Sequence, residues 1–277
     1  MASLKKKLFT LFKTLLLLMF LIATVFPFYW VVNTSFKSRT EIYNSMSFFP
    51  RSPTTENYIA AFKQNNFGVY LKNSTIVTVS ASLIVIIVSI LGGYALARYK
   101  FRGKNLIMVV FLISQMIPLI TAIIPMFVLY SRLKLIDTPM ALIISYTVAN
   151  IPFCLITMSS FFKGIPVSLE EAAQIDGCGR VKGVLNVVLP IMTPGIVAVF
   201  VFAFTGCWNE LFFSVMMINR DANKTIPVGL INFVQKYEVN WGQMMAACAV
   251  TLIPVIVMFF SVQKYIVSGL TQGAVKG

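Results

Sequence analysis

The chain has 277 residues, 58% of them hydrophobic and only 12% charged. A soluble domain carries roughly a quarter charged residues, so this composition excludes an ordinary soluble enzyme and fits a polytopic membrane protein. The net charge of +14 does not mark a nucleic-acid binder, because the basic residues lie between long apolar runs, where they set membrane orientation.

There is no histidine, which removes the commonest general base and metal ligand. Cys154, Cys178, Cys207 and Cys248 are widely spaced and form no CxxC pair, so neither a metal site nor a disulfide framework is expected.

A spanning helix needs about 20 mostly apolar residues. Six segments qualify: 11–32, 74–97, 106–130, 141–162, 191–217 and 244–266. The expected fold is all-α, a single transmembrane domain over 1–277 with six transmembrane helices. The first span follows Lys5, Lys6 and Lys7. Its apolar stretch exceeds the roughly 7–15 residues of a signal-peptide core, and Phe26-Pro27-Phe28-Tyr29-Trp30 follows where a cleavage site would be, so it reads as an uncleaved anchor. The segment 36–73 contains Pro50 and Pro53, and then Thr54-Thr55-Glu56-Asn57-Tyr58, which predicts a short helix starting at Thr54 or Thr55. Pro118, Pro125 and Pro152 fall inside spans three and four and are expected to kink them.

Lys5, Lys6, Lys7 and Lys13 before span one, and Arg98, Lys100, Arg102 and Lys104 after span two, form two dense basic clusters on one side. The positive-inside rule makes that side cytoplasmic and places both termini there. The loop between spans four and five is then cytoplasmic, and 36–73 and 218–243 are external. In the second of these, Asn219, Arg220, Asp221, Asn223 and Lys224 make a polar turn.

The cytoplasmic loop carries Pro166-Val167-Ser168-Leu169-Glu170-Glu171-Ala172-Ala173-Gln174-Ile175-Asp176-Gly177. Ser168 with Glu171 three residues later predicts a capping box. Ala172, Ala173 and Gln174 favour helix, and Gly177 suits a left-handed stop. A helix of about two turns is marginal alone and needs a tertiary partner, either its own protein or another surface.

Glu171-Ala172-Ala173, Asp176-Gly177 and then Val187, Leu189 and Pro190 resemble the spaced signature of ABC importer permeases. Asn57-Tyr58, Tyr94-Ala95-Leu96-Ala97-Arg98 and Trp208-Asn209-Glu210 are similar to the maltose-type carbohydrate subfamily, and the resemblance runs nearly the full length. It implies a coupling segment at 166–190 in which Glu171, Ala172, Ala173, Asp176, Gly177, Leu189 and Pro190 meet a cytoplasmic ATPase. It further implies a second permease subunit, two ATPase subunits, an extracytoplasmic sugar-binding protein that the 218–243 loop reaches, and ATP used only by the ATPase. Cys178 stands where the family usually has alanine and is still small, while Val181 and Val184 replace common aromatics, which implies a less bulky docking surface.

Glu210 is an acidic residue inside predicted span five, where a charge costs roughly 2.5–3.5 kcal/mol and so faces protein or water. With Trp208 and Asn209 it suits a sugar: hydroxyls bond Asn and Glu, and an apolar sugar face rests on Trp. The same residues also fit a plain support of the pathway wall. Asn150, Gln115 and Asn232 are weaker polar candidates. A secondary transporter or channel working alone, or a scaffold, are the competing readings. No GxxxxGK[ST] loop is present, so an ATP-driven role requires a separate ATPase.

Overall fold

The computed structural model describes residues 2–234 and 239–274. Four helices are long and apolar enough to cross a membrane unbroken: Lys5–Ser35, Phe67–Arg98, Pro139–Lys163 and Trp241–Tyr265. They belong to α1 (Ala2–Ser35), α4 (Phe67–Arg98), α7 (Pro139–Lys163) and α14 (Trp241–Ala274). Two further candidate spans are bent pairs, giving four to six candidate spans among the described residues.

Predicted span three is two helices, α5 (Lys104–Met116) and α6 (Leu119–Arg132), bent by 101°. The residue before a proline is pushed out of the helical region, and Ile117 stands at φ −80°, ψ 121°. Pro118 then opens α6: its carbonyl accepts the Thr121 N–H at 3.0 Å and hydroxyl at 2.7 Å. Pro125 and Pro152, by contrast, lie inside unbroken helices. The three prolines have the same chemistry, but only Pro118 breaks its span.

Predicted span five, 191–217, is likewise not one helix. The chain runs through α9 (Arg180–Gly183), a π-turn (Val184–Val188) and α10 (Leu189–Ile191), then bends by 75° into α11 (Thr193–Trp208). Pro194 has no N–H for the Pro190 carbonyl, and the Thr193 hydroxyl donates to that carbonyl instead, at 2.8 Å. A second break at 209–211 separates α11 from α12 (Phe212–Met217).

The chain divides into two compact units. One comprises 1–67 and 229–253 and holds α1, α2 (Arg39–Asn44), α3 (Glu56–Gln64) and the start of α14. The predicted short helix is α3, with Thr55 at its N-cap position. Asn57 Nδ2 donates to the Ser35 and Lys37 carbonyls at 2.9 and 2.8 Å, and the Tyr58 hydroxyl meets the Ser35 hydroxyl at 2.7 Å. These bonds pin α3 to the end of α1. The Glu41 carboxylate accepts from Ser47 Oγ (2.7 Å) and the Arg51 N–H (2.9 Å), and both bonds hold its pKa below the ordinary carboxylate value against the effect of burial.

The other unit comprises 68–228 and 254–277. One core cluster joins Val77 and Ala81 of α4, Ile123 and Tyr130 of α6, Leu142 and Tyr146 of α7, and Phe213 and Met217 of α12. A second joins Val85 of α4, Cys154, Met158 and Phe162 of α7, Val188 and Met192 at the bend, and Val199 and Ala203 of α11. Gly93 is required where α4 crosses α7, since a Cβ there would come within 3.0 Å of the Met158 side chain and the Ser159 backbone.

Candidate functional site

The loop after α7 forms α8 (Ser168–Ile175). Its start differs from the capping-box expectation. Ser168 is the first helical residue and makes no cap bond, and Val167 holds the N-cap position in a helical conformation. Pro166 begins a turn instead: its carbonyl accepts the Leu169 N–H at 3.3 Å, and the Val167 carbonyl accepts those of Glu170 and Glu171 at 2.9 and 3.1 Å. Main-chain bonds thus replace the side-chain cap, and Glu171 is left free of a capping role.

The end of α8 follows the sequence. Gly177 lies at φ +84°. Its N–H donates to the Gln174 carbonyl (3.1 Å), and the Cys178 N–H reaches the Ala173 carbonyl (2.9 Å). This pair of bonds is a Schellman stop, which needs a residue tolerant of the left-handed region.

The helix is fastened from below through Glu170, buried to 7% exposure. Arg98 Nε donates to Glu170 Oε1 at 2.5 Å, and the Tyr94 hydroxyl donates to Oε2 at 2.8 Å. Arg98 also donates to the Ile165 carbonyl at 2.9 Å. Tyr94 and Arg98 are four residues apart at the end of α4, so they share a face and grip one carboxylate together. The sequence singled out Glu171. The residue that ties α8 to a span is its neighbour Glu170, and the i, i+4 placement of Tyr94 and Arg98 at the close of an apolar helix was the available signal.

The predicted ATPase-facing set divides in two. Glu171, Ala172, Asp176 and Gly177 are exposed. Ala173 is 6% exposed, and the Cα of Gly183 faces it closely enough that an added Cβ would stand 3.6 Å from the alanine methyl. It faces its own chain. Ile175, not in the predicted set, is 87% exposed beside Glu171 on the helix surface. Leu189 and Pro190 are not brought together with α8: Leu189 packs on the core around Val188, and Pro190 stands at the following bend. A groove of about 580 Å³ runs along α8, bordered by Arg98, Glu170, Glu171, Gln174, Cys178 and Arg180. Arg180 sits over the Tyr99 ring, 4.7 Å from its centre.

The second candidate cluster sits at the break after α11. Glu210 is not part of a continuous helix; its carboxylate accepts the Phe213 N–H at 3.0 and 3.2 Å and so caps α12. The Tyr146 hydroxyl donates to the Glu210 carbonyl at 3.4 Å. Trp208 is 3% exposed and stacks on Phe204 with ring centres 5.6 Å apart. Its indole N–H has no hydrogen-bond partner among the described residues. Asn209 is exposed, with its amide donating to the Thr205 carbonyl at 3.0 Å. Of the weaker candidates, Asn150 donates to the Tyr146 carbonyl at 2.8 Å, while Gln115 and Asn232 are exposed and lie outside this cluster.

The polar turn at 219–224 is bound within its own unit. The Asp137 carboxylate accepts the Asn219 and Arg220 N–H groups at 3.1 and 3.0 Å and is ion-paired with the Arg220 guanidinium. Burial alone would raise the Asp137 pKa, but the Arg220 and Asn219 donors together hold it below the usual carboxylate value. Asn73 Nδ2 donates to the Ala222 and Lys224 carbonyls at 2.8 and 3.0 Å. Beyond it, Val234 and Val239 form an antiparallel bridge.

The family described as binding-protein-dependent transport system inner membrane component matches residues 89–272, from the end of α4 through α8 and both breaks. The chain belongs to this family. As an inner-membrane component of this kind it is a multi-pass transport permease and not an enzyme. It is 34% identical to the sulfoquinovosyl glycerol permease SmoH of Agrobacterium fabrum, over 93% of this chain and 90% of that one. It is 35% identical to the diacetylchitobiose permease DasC of Streptomyces coelicolor, over 92% and 93%. It is 34% identical to the trehalose/maltose permease MalG of Thermococcus litoralis, over 92% and 93%. The permease fold is also similar to a crystal structure of a bacterial ABC transporter that imports the acidic polysaccharide alginate, with a TM-score of 0.81 at 22% identity, covering 94% of this chain and 97% of that one.

Proposed function

We propose that the chain is one of two different permease subunits of a binding-protein-dependent, ATP-driven importer of sugars, with oligosaccharides as the substrate class. The named relatives carry glycosides and disaccharides, which supports that class. The observation that carries the coupling role is the Glu170–Arg98–Tyr94 joint. It makes α8 mechanically continuous with α4 while leaving Glu171, Ala172 and Ile175 exposed. In this reading α8 lies in the cytoplasm, with both termini, and its exposed face seats in a cleft of an ATPase subunit. Closure of two ATPase subunits on ATP moves the coupling helices of the two permeases, and the pathway between them opens alternately to either side. The permease binds no cofactor itself; ATP is used by the ATPase. An extracytoplasmic binding protein delivers the sugar to the outer mouth.

For the pathway, the reading assigns the substrate contact to Asn209, the exposed member of the trio, while Glu210 holds the break by capping α12. The test is purification of the intact membrane complex, followed by cross-linking from Ile175→Cys. An ATPase subunit that co-purifies and cross-links at this position supports the reading. A stable, transport-competent complex without any ATPase instead establishes a secondary transporter or channel.

A further inference from the structure

A cavity of about 380 Å³ lies in the unit that holds α1, lined by Trp30 and Thr34 of α1, Lys37, Tyr43 of α2, and Trp241 and Met245 of α14, among others. Its size and make-up suit a small organic ligand: aromatic walls with a few polar groups. Three features mark it as more than loose packing.

The first is Thr34. Helical threonines can bond the carbonyl four residues back, and Thr10, Thr14 and Thr24 of the same helix, all exposed, do so at 2.9, 3.0 and 2.8 Å. Thr34 is 7% exposed, and its hydroxyl has no hydrogen-bond partner among the described residues. An unsatisfied buried hydroxyl is costly, and one χ1 rotation re-aims it. The second is Lys37, 2% exposed. Its ammonium donates to the Ser47 carbonyl at 2.5 Å and stands 4.7 Å from the Trp30 ring centre. An ammonium has three N–H donors, so this bond leaves further donors at the cavity wall. The third is Trp241, a lining residue 42% exposed, whose indole is open to contact. Tyr43 ties α2 to the chain just before α14, its hydroxyl donating to the Val239 carbonyl at 2.7 Å.

We propose that this cavity is a saccharide subsite, separate from the Trp208–Glu210 break, in which the apolar face of one pyranose ring rests on Trp241 and its hydroxyls bond Thr34 and Lys37. Aromatic rings meet the C–H face of a sugar, and the unpartnered hydroxyl and the ammonium suit the vicinal hydroxyls at its rim. The choice of a saccharide rests on the importer reading above; the site itself rests on the cavity.

The test titrates the full-length permease, in the membrane complex it forms, with maltose, trehalose and diacetylchitobiose, followed by saturation-transfer NMR and calorimetry. Thr34→Val keeps the shape and removes an unpartnered hydroxyl, so folding is preserved. It is expected to weaken binding about tenfold, and Trp241→Ala to abolish it. Saturable binding with both effects supports the subsite. Absence of saturable binding by all three sugars overturns it, as does binding that neither variant changes. Occupancy by anionic lipid alone, seen with phosphatidylglycerol nanodiscs, also overturns it. An ATPase that co-purifies with a permease whose cavity binds no sugar rejects this inference and leaves the importer reading standing. Sugar binding without any ATPase does the reverse.

Discussion

Glu170 and Arg98 form a buried ion pair that joins a two-turn helix to the end of a 32-residue one. Both side chains are less than a tenth exposed, so neither charge is compensated by water. Breaking such a pair from one side costs about 3–5 kcal/mol, because the remaining charge stays buried and unpaired. Glu170→Ala is therefore expected to release α8, with amide exchange over 168–176 rising by orders of magnitude and ATPase association falling. Unchanged exchange would show that the joint does not hold the helix.

Glu171→Gln is expected to behave differently. Glu171 makes no cap bond and is exposed, so its charge contributes little to the fold. Thermal stability should stay within about 0.5 kcal/mol of the parent. Under the proposed coupling role, any loss in ATPase-driven uptake then reports the docking contact alone. A large loss of stability would return a capping role to this carboxylate.

Gly177→Ala isolates the helix stop. An added methyl would meet nothing within 4 Å, so packing is unaffected, but φ is +84°. The left-handed conformation costs an L-residue roughly 1–2 kcal/mol. Gly177→Asn, which tolerates that region better, should recover most of the loss in a chemical-denaturation series.

The Asp137 turn carries a pH signature. A carboxyl held below its unfolded value, about 3.9, contributes stability that is present above that value and lost as pH falls through the lower folded one. Asp137→Asn tolerates the local φ of +63° but removes the charge facing Arg220. The variant is expected to lose protection of the Asn219 and Arg220 amides at neutral pH and to flatten the acid dependence of that protection. An unaltered acid profile would rule out Asp137 as its source.

The helical runs, the stop at Gly177 and the start of α3 near Thr55 were legible because apolar length, glycine and the Pro-Thr-Thr run before Glu56 are local signals. The entry to α8 was not: Ser168 and Glu171 have the spacing of a capping box, but Pro166 starts the turn two residues earlier and its carbonyl takes the first donor. The bends were only half legible. Pro118 and Pro152 look alike in sequence, yet the residue before Pro118 leaves the helical region while α7 runs unbroken through Pro152. Glu170 and Glu171 are also alike until Tyr94 and Arg98, more than 70 residues upstream, select one of them. The Glu210 break was hidden because 191–217 is mostly apolar and carries that one charge alone, and the carboxylate that looked like a pathway group serves as a cap.

The grip on Glu170 gives α4 the mechanics of a lever. Its 32 residues form a rod with no proline. At 1.5 Å per residue that rod is about 48 Å long, so a tilt of about one degree at one end displaces the other by roughly 0.8 Å. Under the proposed coupling role, a small push on α8 would reach the far end of α4 as a shift comparable to the clearance between packed side chains.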